Sequence, residues 1–290
     1  KINSLNKGIV PIYEPGLEEI LIKNQKQNRL IFTTDLKKAV TNSDIIFICV
    51  GTPTKKNSNS ADLKYVYKVT HELKKIISKY KIIITKSTVP VTTGDEIEKI
   101  LISLKKKKLV DIVSNPEFLR EGEAIRDFIY PDRVIIGTDS KKANRILKSL
   151  YLPIIKKTNR YFHTSRRGAE LIKYASNAFL ATKISFINEL ANLSEKTRVD
   201  IKDISLGMGL DQRIGERFLR AGPAYGGSCF PKDTRALVDI GAKFKTDLSI
   251  VKSVINSNNK RKILLTKKVE TILNGNLKNK IITFLGVTFK

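Results

Sequence analysis

The 290-residue chain contains only two cysteines and two histidines, and each scarcity excludes a class of protein. Two cysteines cannot build the disulfide framework of a small secreted domain, so the sequence predicts a reducing, cytoplasmic location. His71 and His163 lie far apart, with no cysteine or carboxylate cluster at ligand spacing, which argues against a metal site. The chain also lacks an apolar run of about 18 residues, the length that spans a bilayer, so no membrane anchor is expected.

Acidic residues are scarce too, with 28 Asp and Glu against 54 Lys and Arg, a formal net charge of +26. Such a charge can indicate binding to nucleic acid or to another anionic surface. The lysines are nevertheless scattered, and their longest run, Lys105–Lys108, has no interleaved aromatic residues. We expect a general lysine bias on exposed helix faces, compatible with a basic cleft for a phosphorylated small molecule and not with a nucleic-acid partner.

Short apolar runs alternate with amphipathic stretches in the first half of the chain, a pattern typical of α/β proteins. Ile45–Val50 and the apolar parts of KIIITKSTVP, LVDIVSNPEF and DRVIIG predict buried strands, and Asp62–Tyr80 has helical spacing. The polar motifs GTPT, STVP and NPEFLRE follow three of these strands, at the edge where parallel sheets bind ligands. Turn chemistry explains each motif alone but not their shared placement. We therefore expect a partial Rossmann-like parallel sheet.

The second half of the chain has a different residue pattern. The segment that begins at Arg166 has no proline, has no glycine for more than 30 residues after Gly168, and is periodic, which predicts one long helix as the spine of a helical domain. The final KNKIITFLGVTFK predicts a strand that opens another α/β module. The expected domains are therefore residues 1–165, 166–275 and 276–290.

The stretch AGPAYGGSCFPKDTRAL places Cys229 in a glycine-rich polar loop. Gly226 and Gly227 allow a tight turn and close approach of a substrate. A thiol near backbone amides and a cation such as Lys232 can have a lowered pKa and act as a nucleophile. We interpret Cys229 in this way, whereas Cys49, inside an apolar strand, is expected to be an ordinary core residue.

Two further groups carry candidate chemistry. Lys173 and Asn177, four residues apart, share one face of the long helix among apolar neighbours, where polar groups are costly unless they are used. A desolvated lysine can lose its proton near neutral pH or stabilise an oxyanion, although a solvated stripe would show the same spacing. Glu117 or Glu121 could be a general base or a partner for the lysine, and a carboxylate in a helical first turn is also ordinary.

The segments GGSCFPKDTRAL, SNPEFLREGEAIRDFIYPDRVIIG and LIKYASNAFLATKISFINELANL, with DQRIGERFLRAG and PIYEPGLEE, together resemble the UDP-glucose/GDP-mannose dehydrogenase family. The resemblance runs from about Asn6 to Lys290. It implies NAD-dependent, two-step oxidation of UDP-glucose to UDP-glucuronate by a homodimer formed through the long helix. GDP-mannose and UDP-N-acetylmannosamine remain alternative substrates.

The resemblance also implies roles for individual residues. Cys229 would attack an aldehyde intermediate and carry a thioester, while Lys173 and Asn177 stabilise the oxyanion and Lys173 is a candidate base. Asp233 and Thr88 would hold the hydrolytic water, and Glu117 would assist proton transfer. The residues implied to line the NAD site are Thr52, Pro53, Thr54, Thr88, Glu121 and Lys232. Those implied to bind the nucleotide sugar are Glu117, Phe118, Leu119, Arg120, Lys173, Asn177, Arg213, Phe218, Arg220, Tyr225, Gly226, Phe289 and Lys290, with Arg213 reaching the neighbouring subunit's site.

Two departures from the family pattern bear on function, whereas Ala224, where the family usually has glycine, and Arg220, where some members have lysine, are expected to be tolerated. The glycine-rich phosphate loop G-x-G-x-x-G does not occur in the sequence, and most of a third domain is absent. We therefore expect a fragment of an enzyme. The alternative is a truncated, non-catalytic homologue that only dimerises or binds nucleotide.

Overall fold

The computed structural model describes residues 1–56, 58–155, 160–283 and 285. The chain divides into two units. The first comprises Lys1–Thr52 and Asp62–Lys173, and the second comprises Pro53–Ala61 and Tyr174–Lys290. The sequence-based boundaries at residues 165/166 and 275/276 stay predictions.

The first unit is built on one sheet, in which the described residues contribute five strands. The strands are β1 (Ile45–Ile48), β2 (Lys81–Thr85), β3 (Val110–Ser114), β4 (Val134–Gly137) and β5 (Tyr161–Thr164). Their order in the sheet is the order along the chain. β1, β2 and β3 pair in parallel, as do β4 and β5, whereas β3 and β4 meet antiparallel at the single pair Ser114↔Gly137. The prediction of a mostly parallel α/β sheet is confirmed.

Of the described helices of the first unit, three precede β1 and five lie in the connections between the strands. Ser140 Oγ accepts a hydrogen bond from the backbone N–H of Ala143 at 3.1 Å and so caps the helix that begins at Lys141. The helices are α1 (Ile2–Asn6), α2 (Leu17–Lys26), α3 (Leu36–Thr41), α4 (Lys64–Ile76), α5 (Thr93–Ile100), α6 (Ile102–Lys106), α7 (Ala124–Ile129) and α8 (Lys141–Ile155).

Apolar cores lie on both faces of the sheet, because alternate residues of a strand point to opposite sides. In β2, Ile83 belongs to the core that contains Leu73 of α4, whereas Ile82 and Ile84 belong to the core that contains Leu147 of α8. Every residue of β2 is buried, as expected for a parallel strand covered on both faces.

The first apolar run, Ile45–Val50, was predicted to be a buried strand, and the prediction of burial was wrong for part of it. β1 ends at Ile48, which is buried, but Phe47 is 38% exposed because β1 lies at the edge of the sheet among the described strands. Cys49, expected in the core, is exposed for the same reason. Groups around its sulfur still exclude enough water to raise the pKa of the thiol, while the nearby Lys86 ammonium opposes that rise.

The predicted long helix is confirmed as α9 (Arg166–Thr197), which begins in the first unit and continues through the second. The small residues Ala178 and Ala181 face inward with Tyr174 and Ile187, whereas Phe179 is 66% exposed. Within the described part of the chain, no helix is both long and apolar enough to cross a bilayer. The remaining helices of the second unit are α10 (Ile201–Gly209), α11 (Phe230–Lys243) and α12 (Ser249–Ile272).

The strand predicted near the end of the sequence is not formed in the described residues. Residues 279–283 have no regular structure, and Ile281 is 95% exposed. A strand needs a neighbour to accept and donate its backbone hydrogen bonds, and none of the described strands pairs with this segment.

Gly137 lies where β4 packs tightly on the start of α9. A Cβ built there would lie 2.6 Å from the Ala169 Cβ and 2.6 Å from the Ser165 carbonyl oxygen. Since backbone atoms must move, we expect Gly137→Ala to lower the free energy of unfolding by about 1–3 kcal/mol in urea titrations. Gly51→Ala is the matched control, because a Cβ built at Gly51 would meet no atom within 4 Å. Equal stability of the two variants would contradict this packing.

Candidate active site

Cys229 is exposed, as its loop context predicted, and it is the N-cap of α11. Its carbonyl oxygen accepts the N–H of Asp233 at 2.8 Å, and its sulfur lies 3.6 Å from Ser228 Oγ. The thiol therefore stands at the positive end of a 14-residue helix, beside backbone amides that have no partner inside the helix. This helix was not predicted from the sequence, although Pro231 in its first turn and the following acidic residue are ordinary signals of a helix start.

Asp233, one helical turn after the thiol, is 1% exposed and yet fully engaged. Its Oδ2 accepts a hydrogen bond from Asn177 Nδ2 at 2.6 Å, and its Oδ1 accepts one from Lys232 Nζ. A buried carboxylate is tolerated only when it is paired and hydrogen-bonded. The structure thus joins three predicted residues in one buried cluster of the second unit.

Lys173 and Glu117 form the corresponding cluster in the first unit. Lys173 is 4% exposed, and its Nζ donates to the Glu117 carbonyl oxygen at 2.5 Å and to Glu117 Oε1 at 3.1 Å. The same ammonium lies 5.1 Å from the ring centroid of Phe118, which also receives the Arg133 guanidinium at 4.1 Å. Of the two glutamates considered as partners for the lysine, Glu117 is the one that contacts it.

The three predicted residues that follow Phe118 in this segment are exposed. Arg120 forms ion pairs with Asp127 at 2.7 Å and with Glu123 at 2.5 Å. Leu119 is 38% exposed, and its N–H donates to Glu117 Oε2 at 2.6 Å. Glu121 is exposed in the turn that leads to α7. The segment after β3 therefore offers the carboxylate that pairs with Lys173 and a polar, accessible rim.

Thr52 and Thr88, which follow β1 and β2, lie together in the first unit. Thr52 Oγ1 donates to the Thr88 carbonyl oxygen at 2.8 Å. In the second unit, Thr54 forms an isolated antiparallel bridge with Ala61, and the neighbouring Pro53 is exposed. These contacts position the backbone of the loops that follow the two strands.

Glu170, which was not predicted from the sequence, anchors the loop that contains Thr88. Its carboxylate accepts the N–H groups of Thr92 and Gly94, both at 2.8 Å, and the hydroxyl of Ser114 at 2.9 Å. A Cβ at Gly94 would lie 2.9 Å from Glu170 Oε1, so a larger residue there would displace the carboxylate. Burial raises the pKa of Glu170 to about 7, against the opposing effect of these hydrogen bonds. Glu170 could have been found from the sequence because it lies three residues before Lys173 on the same predicted helix.

Lys86 is the second residue that was missed. Its Nζ donates to Asn115 Oδ1 at 3.2 Å, and the Tyr151 hydroxyl donates to the same oxygen at 2.5 Å. Burial lowers the pKa of Lys86 to about 8, and the Lys173 ammonium adds to this, while the Glu117 carboxylate and Cys49 oppose it. Lys86 lies in the segment KIIITKSTVP, but its partner Asn115 is 29 residues away in the sequence.

The predicted sugar-binding loop lies in the second unit and contains both exposed and buried residues. Phe218 has a φ of 67°, and its ring centroid lies 6.2 Å from that of Phe230. Tyr225 is buried, whereas Arg220 and Gly226 are exposed. The side chain of Arg213 is 90% exposed and pairs with Asp211 at 2.6 Å. The predicted residues Phe289 and Lys290 lie outside the described residues.

Comparison with known families identifies both parts of the chain. Residues 1–155 match the NAD binding domain of the UDP-glucose/GDP-mannose dehydrogenase family, and residues 167–260 match its central domain. The chain is 47% identical over its whole length to a UDP-glucose 6-dehydrogenase of Rhizobium meliloti, of which it covers 67%. It is 48% identical to one of Rickettsia felis, of which it covers 64%. The chain therefore spans about two thirds of the length of these relatives.

Solved structures agree with this result. A UDP-glucose dehydrogenase from the archaeon Pyrobaculum islandicum superposes with a TM-score of 0.89 at 37% sequence identity. The match covers 94% of this chain and 63% of that structure.

The pKa of Lys86 leads to a pH-dependent contribution to stability. The folded value is about 8 and the ordinary value is 10.5, so between these pH values the unfolded chain binds more protons than the folded chain. Stability must therefore rise with pH across this window, and the cost of the buried ammonium is fully present below pH 8. We expect the free energy of unfolding of the wild type to rise, relative to Lys86→Met, as pH increases from about 8 to 10.

Urea titrations at several pH values measure this difference. Lys86→Arg is the matched control, because a guanidinium stays charged throughout the range and should show no such rise relative to Lys86→Met. A difference between wild type and Lys86→Met that does not change with pH would contradict the assignment.

Proposed function

The chain belongs to the UDP-glucose/GDP-mannose dehydrogenase family, and from this premise we propose that it oxidises the primary alcohol of UDP-glucose to a carboxylate in two NAD-dependent steps. The observation that carries the proposal is the exposed thiol of Cys229 at a helix N-terminus, one turn before the buried Asp233 that Asn177 and Lys232 hold. Such a group is suited to covalent catalysis on a carbonyl carbon.

Cys229 performs the covalent part of the reaction. The first oxidation removes a hydride and a proton from the alcohol and leaves an aldehyde. The sulfur then adds to the aldehyde carbon, and the resulting thiohemiacetal loses a second hydride and a proton to become a thioester. Water adds to the thioester carbon and the C–S bond breaks, which releases the carboxylate and restores the thiol. The half-oxidised carbon therefore stays bound to the protein until the acid forms.

Asn177 and Asp233 support the steps that involve the bound oxygen and the water. Asn177 has a second amide hydrogen besides the one it donates to Asp233, and this hydrogen can stabilise the oxyanion of the tetrahedral intermediates. Asp233, together with Thr88, would hold the water that attacks the thioester. A fixed donor directed at a developing oxyanion is typically worth about 2.7–4 kcal/mol.

Lys173 and Glu117 handle the proton that leaves with the first hydride. The ammonium of Lys173 already donates to the carboxylate and the carbonyl of Glu117, which keeps it oriented in its buried position. As a neutral amine Lys173 would take the alcohol proton, and as the ammonium it would stabilise the alkoxide, while Glu117 would assist proton transfer in the later steps. Phe118, Leu119 and Arg120 follow directly and would line the sugar nucleotide.

The residues of the first unit fit the nicotinamide cofactor that the family implies. Thr52 and Thr88 supply hydroxyl groups after the carboxyl ends of two parallel strands, the edge at which such sheets bind nucleotides. When bound, NAD supplies the oxidant and accepts one hydride in each step. Of the residues that the family resemblance implies for NAD, Thr52, Thr88 and Glu121 belong to the first unit, whereas Pro53, Thr54 and Lys232 belong to the second.

We propose a homodimer for the assembled protein. Phe179, Phe186 and Leu193 are spaced seven residues apart on α9, so they lie on one face of that helix. They are 66%, 49% and 56% exposed, an apolar stripe that a second copy of the chain would cover. Arg213, on an exposed turn, would reach the partner's site.

The function is tested by NADH formation from three nucleotide sugars with the purified full chain. We expect UDP-glucose to give two NADH for each UDP-glucuronate, and to turn over faster than GDP-mannose or UDP-N-acetylmannosamine. Preference for one of the other sugars would reassign the substrate. Absence of NADH from all three, with nucleotide binding retained, would favour a non-catalytic homologue.

Cys229→Ser tests the covalent step. A hydroxyl is a weaker nucleophile than a thiolate, so we expect slow formation of the first NADH and a fall in steady-state acid production on the order of 10³-fold or more. Mass spectrometry of the wild type, quenched during turnover, should reveal a sugar adduct on Cys229. Full production of UDP-glucuronate by the variant would refute the covalent role.

The dimer is tested by Phe179→Asp combined with Phe186→Asp. Burying two carboxylates in an apolar interface is costly, so we expect the variant to elute as a monomer in size-exclusion chromatography with light scattering. Ile263→Asp is the matched control, because Ile263 is 59% exposed on α12 and outside the stripe. Dimers of unchanged stability in the double variant would argue against this interface.

A further inference from the structure

The segment before Cys229 is held by its backbone at two points, each by side chains from neighbouring helices of the second unit. The first point is Tyr225 and the second is Gly222. Loops usually satisfy their backbone groups with water at the surface, so two engaged positions within four residues restrict this loop strongly.

At Tyr225, the side-chain amide of Asn258 binds both the backbone N–H and the backbone carbonyl, as a neighbouring strand would. Asn258 Oδ1 accepts the Tyr225 N–H at 2.8 Å, and Asn258 Nδ2 donates to the Tyr225 carbonyl oxygen at 3.0 Å. Asn258 and Tyr225 are each 4% exposed, so water does not compete for these bonds. Only a carboxamide offers one acceptor and one donor at the same spacing, which makes the contact specific to asparagine at this distance.

At Gly222, two residues share the task. Asn188 Oδ1 accepts the Gly222 N–H at 2.8 Å, and Arg261 Nε donates to the Gly222 carbonyl oxygen at 3.1 Å. Arg261 also donates to Asn192 Oδ1 and to the Asn188 carbonyl oxygen at 3.4 Å. The guanidinium therefore ties the loop to α9 as well as to its own helix, α12.

The two hydrogen bonds between Asn258 and Tyr225 form a clamp on the loop. Ring packing connects this clamp to the residue that follows the thiol. The Tyr225 ring meets the Phe230 ring edge-on, with centroids 6.3 Å apart and planes at 85°. Val254 of α12, one turn before Asn258, packs in the same cluster. Phe230 follows Cys229 directly. The contacts of Tyr225 with α12 therefore also position the loop relative to the start of α11.

We propose that Asn258 is a positioning residue that holds the loop of Gly222 to Gly226 in the conformation that receives the nucleotide sugar. This inference rests on the proposed function and on the family resemblance, which implies that Tyr225 and Gly226 bind the nucleotide sugar. Without these hydrogen bonds, substrate binding must order the loop, and the loss of conformational entropy weakens the affinity for the substrate. The covalent step itself, carried by Cys229, should be affected much less.

Asn258→Asp is the principal test, because it keeps the shape but sets a carboxylate oxygen against the Tyr225 carbonyl. We expect KM for UDP-glucose to rise about 10-fold or more, with kcat changed by less than about 3-fold. A merely structural role would instead reduce the active fraction, lowering kcat at unchanged KM. Asn258→Ser, a smaller change, should give the same pattern if the aspartate variant does not fold.

Two measurements make the test independent of turnover. Hydrogen exchange should show faster exchange at the amides of Gly222 and Tyr225, with α11 still protected. Alkylation by iodoacetamide, followed by peptide mass spectrometry, should give an unchanged ratio of Cys229 to Cys49 labelling. Asn256→Asp, a change to another amide on the same helix, is the matched control and should behave as wild type.

The outcomes separate the two proposals. If the wild type oxidises UDP-glucose while Asn258→Asp retains both its KM and its slow loop exchange, the positioning role is wrong. If the wild type oxidises no nucleotide sugar but the variant loses protection at Gly222 and Tyr225 while α11 stays protected, the positioning contact stands and the proposed function fails.

Discussion

The buried carboxylate of Asp233 is the constraint on which the part of the second unit around Cys229 depends. It sits in the first turn of α11, is 1% exposed, and is neutralised by Lys232 while Asn177 of α9 donates to its other oxygen. Removing Lys232 would leave this charge uncompensated in a low-dielectric site, which typically costs about 3–5 kcal/mol. Removing Asn177 would leave a buried carboxylate oxygen without its donor. The start of α11, and with it Cys229, is therefore fixed to the long helix.

The first turns of the long helix α9 contain the further buried ionisable side chains Glu170 and Lys173, which need partners. Glu170 binds the amides at the start of α5, and Lys173 binds Glu117 after β3, both within the first unit. Each unit thus contains a buried charge that is satisfied by groups from distant segments. Buried ion pairs of this kind rarely stabilise a fold beyond what apolar residues would do, so their retention here fits a chemical role.

Sequence reasoning succeeded where the signal is local and failed where it depends on pairing. The period of α9 and the buried strand β2 were predicted, because each is written in consecutive residues. Cys49 was assigned to the core because the run around it is apolar, but the position of β1 at the sheet edge exposes it. Lys86 and Glu170 were overlooked because their partners lie 29 to 78 residues away in the sequence.

The sequence by itself determined the alternation of strands and helices, the exposed loop of Cys229 and the shared face of Lys173 and Asn177, since these follow from periodicity and from the chemistry of glycine and proline. Only the tertiary structure decided which polar groups are paired. Lys173 pairs with Glu117, Asn177 donates to Asp233, and Asn258 binds the backbone of Tyr225. These pairings depend on distances between segments far apart in the chain, and burial makes each of them obligatory, because a polar group removed from water must find a partner.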